Sequence, residues 1–273
     1  MRAMFFSLLL IACSGNEAGD ADASKKEKSA QSFKIDEKSL AEAVNKTELV
    51  PSPVEMQEKL AKAGLQTELS TLVPTEKNIK VVVEDNDQTA IRTGVVLADL
   101  VLTVKVSNKD QILNRLGKLK KGFAQLGAGD DIKATIEDFE ARVNKNEIKK
   151  SELLSEFDDM ASVMVPELEY EAGDWIVPLI QAGTWLEGAN LVSKAMIKEG
   201  KYDSADTFFR QKEIVEYFIS YVDRDGKDKA PSGIIKTLLD MLKSLKAIAS
   251  KPRIEEKDIK EIEALTSKVL ALL

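Results

Sequence analysis

The stretch from Glu171 to Met196, EAGDWIVPLIQAGTWLEGANLVSKAM, decides the fold. At 3.6 residues per turn, Trp175, Leu179, Ala182, Trp185, Leu186, Ala189, Val192 and Met196 cover one broad side, and Ile176, Ile180 and Leu191 make much of the remainder apolar. A helix that is hydrophobic nearly all round belongs in a core or in a membrane. Glu171, Asp174 and Glu187 interrupt the run, so no window of about 18 uncharged apolar residues survives, which favours the core. Pro178 suits a first turn or a kink, and Gly183 and Gly188 remove side chains where a neighbouring backbone can come close. The stretch therefore predicts a central packing helix.

Upstream, the segment Gln88 to Val106 is rich in valine but too long for an ordinary strand, and Ile91, Val95, Ala98 and Leu102 recur at helical spacing. Asn86 and Asp87 offer caps for it, while the β-branched run Ile79–Val83 reads as a possible short strand. Shorter helices are expected over Asp36–Glu48 and over Pro53–Ala63, the second stopped by Gly64. Asn108 caps a helix with Ile112, Leu116, Leu119 and Phe123 inward, ended by Gly127 and Gly129. Asp130 or Asp131 caps another with Ile132, Ile136, Phe139 and Val143 inward. Leu153, Leu154, Phe157, Met160 and Met164 mark a third, stopped near Pro166. Downstream, Ala205, Phe208, Val215, Phe218, Ile219 and Val222 predict one helix ending at Asp223-Arg-Asp-Gly. Pro231 opens the next, with Ile235, Leu238, Leu242 and Leu245 inward, and the last begins near Glu255 with Ile259, Ile262, Leu265, Val269 and Leu272 inward. The pattern predicts an all-α, multi-helix bundle of about eight to nine helices over residues 34–273, with 223–230 as the candidate subdivision.

The N-terminus carries a different signal. MRAMFFSLLLIACSG has one basic residue, Arg2, then an apolar run from Met4 to Ala12, the pattern of a secretory leader spanning 1–12. Leu10-Ile11-Ala12-Cys13 resembles the lipobox of bacterial lipoproteins, and that resemblance implies cleavage before Cys13, lipidation of its thiol and anchoring of the chain in a membrane. Ser14 after it implies the outer membrane, facing the periplasm, by resemblance to the sorting pattern of enteric bacteria. Cys13 is the only cysteine, so no intramolecular disulfide forms and the core alone holds the fold. From Ser14 to about Ser32 no aliphatic residue is larger than alanine. Residues 13–33 are thus expected to be a lipid anchor and flexible tether, spanning about 25 Å.

Composition excludes several functions. The formal charge is −7, which argues against a nucleic-acid partner. Histidine is absent, so neither a Ser-His-Asp nor a Cys-His constellation can be assembled, and the usual acid/base near neutral pH is missing. With Cys13 lipidated, Cys/His zinc and thiolate cofactor sites are missing as well. No catalytic residue, metal ligand set or cofactor is assigned. Gly127-Ala-Gly129 is half of a dinucleotide fingerprint and follows a helix rather than a strand, and Asp223-Arg-Asp-Gly lacks the spacing of a calcium loop.

The polar residues inside the two most apolar helices are the candidate site. Arg92, Asp99 and Thr103 share one stripe, and Gly183, Glu187, Asn190 and Lys194 share another, with Trp185 beside it. Buried charges need partners, so Arg92 with Glu187, or Asp99 with Lys194, are possible pairs across the two helices. Such residues form a register-fixing network, a partly exposed face, or a ligand pocket. The segments AGLQTEL (63–69), IRTGVVLADL (91–100) and LIQAGTWLEGANL (179–191) resemble an uncharacterised group of all-helical lipoproteins of Gram-negative bacteria, typified in Bacteroidetes, which share Gly-x-x-x-Ala-Asp-Leu and Gly-Trp-Ile-Glu-Gly-like motifs. The resemblance implies an all-helical envelope protein and singles out Asp99 and Glu187; it implies no activity. The expected function is a membrane-anchored module that binds or scaffolds an envelope protein partner. The alternative is a small-ligand-binding lipoprotein with a pocket near Asp99 and Glu187, and a carboxylate-based glycan hydrolase ranks third.

Overall fold

Ser52 opens the first described helix by a reciprocal cap: its hydroxyl accepts from the Glu55 N–H (3.2 Å), and the Glu55 carboxylate accepts from the Ser52 N–H (2.8 Å). This computed structural model describes residues 50–75, 79–159, 168, 173, 175–223 and 233–273, all within one unit, Glu42–Leu273. The helices are α1 (Pro53–Lys62), α2 (Asn86–Thr103), α3 (Lys109–Gln125), α4 (Asp130–Lys145), α5 (Lys150–Asp159), α6 (Ile176–Glu199), α7 (Ala205–Phe209), α8 (Lys212–Val222), α9 (Gly233–Ala249) and α10 (Glu256–Leu272). A 3-10 turn occupies Leu69–Thr71, and no strand occurs among the described residues. The chain is an all-α multi-helix bundle. The leader, Cys13, the tether, the expected helix at 36–48, Met160, Met164, Pro166, Glu171, Asp174, residues 224–230 and Pro231 lie outside the described residues.

Eighteen of the 24 residues of α6 are buried, so this helix is enclosed on all sides, as its sequence requires. Its principal neighbour is α2, followed by α10, with α1, α8 and α7 completing the ring. Glycine sets the closest approach in both members of the central pair. A methyl group at Gly94 would stand 2.0 Å from the Ile180 carbonyl oxygen, and one at Gly183 would stand 2.0 Å from that of Ile91. The Thr184 hydroxyl, shared between the carbonyls of Ile180 (3.1 Å) and Gly94 (3.2 Å), ties the same crossing. Gly188 likewise admits Met56 of α1, and Gly122 of α3 admits Thr93 of α2. Helix α4 packs on α3, and α5 joins it through the edge-to-face pair Phe139–Phe157 (5.0 Å, 82°) and the Arg142–Glu156 ion pair.

Four local expectations are corrected. Asp85, not Asn86 or Asp87, caps α2, accepting from the N–H groups of Asp87 (2.9 Å) and Gln88 (3.2 Å). Ile79–Val83 joins no ladder among the described residues; the Thr89 hydroxyl meets both the N–H and the carbonyl of Val83 instead (3.3 Å each). Gly129 is the N-cap of α4, placing Asp130 and Asp131 in its first turn, where the helix dipole favours negative charge. The single helix expected over 205–222 breaks at Arg210–Gln211. Tertiary bonds win there: the Asp206 carboxylate accepts from the Ile254 N–H (2.9 Å) and from Arg210 (3.3 Å), and Arg210 also donates to the Pro252 carbonyl (3.2 Å), drawing α7 to the α9–α10 turn.

The end of α6 is pinned by one carboxylate. Glu199 accepts from the consecutive backbone N–H groups of Gln66 (2.8 Å) and Thr67 (2.7 Å) beyond α1, and pairs with Lys201 (3.1 Å), whose ammonium also reaches the Gly64 carbonyl (2.8 Å). Bonding from the Thr67 side chain, then from Lys201 and the two amides, outweighs desolvation and lowers the Glu199 pKa to about 2 from its ordinary 4.5. A depressed carboxylate stabilises the fold above its unfolded pKa, and this contribution fades as pH falls through the folded value. Glu199→Gln is therefore expected to be less stable than wild type in urea titrations above about pH 4.5, with the gap closing towards pH 2. A gap independent of pH would contradict the pin.

Candidate functional site

Of the polar residues singled out inside the central helices, Arg92, Asp99, Thr103, Glu187 and Asn190 are buried, as is Trp185, while Lys194 is half-buried. Arg92 donates to the Lys80 carbonyl (2.6 Å) and makes a long contact with the Leu272 carbonyl (3.5 Å), tying α2 to the segment before it and to the end of α10. Burial lowers its pKa. Asp99 is electrostatically coupled to Arg115 of α3: burial pushes the Arg115 pKa down, and the nearby carboxylate works against that. Arg115 also donates to the Ser107 hydroxyl (3.0 Å) in the α2–α3 turn. Thr103 turns back on its own helix, donating to the Asp99 carbonyl (2.6 Å).

On α6 the polar stripe has other neighbours. The Asn190 amide donates to the hydroxyls of Ser267 (2.7 Å) and Thr266 (3.0 Å) on α10, and Thr266 donates to the Ile262 carbonyl (2.7 Å). Glu187 is 1% exposed and lies between Gly183, which abuts α2, and Gly188, which abuts α1. Among the described residues, Arg92 meets the carbonyls of Lys80 and Leu272, and Asp99 is coupled to Arg115. Sharing a stripe on one helix places residues along a line, but α3 and α10 lie beside that line and take Asp99 and Asn190 respectively.

Trp185 faces α8, its ring 5.6 Å from that of Phe218, while Tyr217 beside it donates to the Gln181 side chain (3.0 Å). Between α1, α6 and α7 a cleft bordered by Trp185, Met56, Lys59, Phe208 and Gln211 has a volume of about 10 Å³, room for one water molecule rather than an organic ligand. The Gln211 side-chain oxygen is buried without a hydrogen-bond partner among the described residues. No group of three or more acidic or cysteine side chains among the described residues is placed to hold a metal.

The residues that complete these contacts, Arg115, Thr266 and Ser267, were not among the sequence candidates. Two of them were marked: Arg115 falls on the inward stripe of Ile112, Leu116 and Leu119, and Thr266 on that of Ile259, Ile262 and Val269. A polar residue on an apolar stripe of a neighbouring helix is the signal that would have found them. No protein-family model, no curated protein and no solved structure matches the chain.

Removing one of two electrostatically coupled buried charges leaves the other less compensated. Asp99→Asn and Arg115→Met are each expected to lose stability in urea unfolding, and the double variant to lose clearly less than the sum. Strict additivity would show that the two groups are not coupled.

Proposed function

We propose that the protein is a lipid-anchored lipoprotein of the bacterial cell envelope, held through Cys13 in the outer membrane and facing the periplasm, whose helical unit binds or scaffolds an envelope protein. The observation that supports the non-catalytic reading is the dispersal of the buried polar residues. Asp99, Asn190 and Arg92 each meet a different structural neighbour and hold the bundle together. The pocket reading requires Asp99, Glu187 and Trp185 to share one space, whereas Asp99 is coupled to α3 and Trp185 packs on α8. The anchor rests on the lipobox-like Leu10–Cys13 segment and the polar stretch after it, and the likeness to all-helical envelope lipoproteins belongs to the same proposal.

Metabolic labelling with a palmitate analogue in a Gram-negative host tests both halves. Wild type is expected to take up label, to sediment with outer membranes, and to migrate in mild detergent in a complex larger than the monomer. Cys13→Ser is expected to lose the label and the membrane association. An unlabelled wild type would overturn the anchor, and a labelled chain that migrates as a monomer would overturn the partner.

A further inference from the structure

We infer that the end of the bundle formed by the α2–α3 and α4–α5 turns docks on an anionic phospholipid surface. The two turns are fastened by lysines: Lys150 donates to the carbonyls of Ser107 (2.6 Å) and Lys105 (3.2 Å), and Lys109 donates to that of Asn144. Five exposed lysines, at 105, 109, 145, 149 and 150, gather there against three carboxylates, Asp110, Glu147 and Glu152. Glu147 faces Lys145 at 4.0 Å and Glu152 faces Lys149 at 3.6 Å, while Lys105, Lys109 and Lys150 have no carboxylate of the described residues within ion-pair distance. The local balance is positive in a chain whose formal charge is −7.

Next to Lys105, and between the two carbonyls that Lys150 holds, stands Val106, 66% exposed and the more exposed of the two large hydrophobic side chains that face solvent among the described residues. It is held rigidly in place. The Val106 N–H bonds to the Thr103 carbonyl (3.0 Å), as does that of Ser107 (2.8 Å), and Arg115 secures the Ser107 side chain from below. A single surface valine is ordinary, but one flanked by Lys105 and by the Lys150 ammonium matches the layering of a bilayer surface, with phosphates for the lysines and an apolar boundary for the valine. Nucleic acid would offer that valine nothing, and a longer basic stripe is its usual footprint. The acidic remainder of the chain opposes contact only weakly once it stands more than a Debye length of about 8 Å from the lipid.

The inference concerns the folded unit's own contact with lipid and stands whether or not Cys13 carries an anchor. It is tested with the full chain carrying Cys13→Ser, by co-sedimentation with vesicles of phosphatidylcholine alone and of phosphatidylcholine with phosphatidylglycerol. Binding is expected to require phosphatidylglycerol and to weaken with salt. Lys105→Gln with Lys149→Gln should weaken it about 30-fold, from the typical contribution of a basic residue near such a surface, and Val106→Asp should weaken it on its own. Lys121→Gln with Lys243→Gln, exposed lysines elsewhere, should leave it unchanged; unaltered thermal unfolding of each variant confines the effect to the surface. Equal binding to neutral vesicles, equal loss in both lysine pairs, or binding to duplex DNA as tight as to the charged vesicles would overturn the assignment.

Discussion

The bundle depends on one backbone-to-backbone crossing. Gly94 of α2 and Gly183 of α6 each remove the side chain that would keep the helices apart, and each is answered by main chain of the partner, Ile180 and Thr184 on one side and Ile91 on the other. Glycine inside a helix costs about 1 kcal/mol of propensity relative to alanine. That cost is offset by the dispersion contacts of two helices packed without intervening side chains. The shared Thr184 hydroxyl adds a polar tie in a place where water is excluded. Once α2 and α6 are joined, their combined surface accepts α10, α1 and α8 along α6, and α3 along α2, so the remaining helices form layers around the pair.

The central pair also carries buried polar groups that meet the next layer of helices. Each then specifies a neighbour: Asp99 with Arg115 for α3, Asn190 with Thr266 and Ser267 for α10, and Arg92 with the carbonyls of Lys80 and Leu272. A hydrophobic stripe alone tolerates sliding, whereas a buried amide or ion pair is satisfied in one register.

The sequence made the all-α class and the central place of α6 legible, because a helix apolar on nearly every face has few other destinations. Individual stripes on α3, α4 and α10 were equally clear, since each has a polar outer face that sets its orientation. The break between α7 and α8 was not legible: it is imposed by Asp206 and Arg210 reaching residues some forty positions away at the α9–α10 turn. The candidate polar residues were recognisable from their apolar surroundings, but their partners depend on which helices are neighbours, and periodicity carries no such information. Gly183 was recognisable as a site of close approach, while Gly94, its counterpart, became so only when the crossing was seen.

Alanine substitution at three helical glycines tests the crossing most directly. In urea unfolding, Gly94→Ala and Gly183→Ala are expected to destabilise by about 2 kcal/mol or more, because the new methyl meets rigid backbone and the overpacking outweighs the gain in propensity. Gly117→Ala on α3, where the nearest atom is a Glu140 side-chain oxygen 3.8 Å away, is expected to be neutral or to stabilise by up to about 1 kcal/mol. If all three substitutions stabilise alike, α2 and α6 do not touch as described, and the bundle is organised around some other contact.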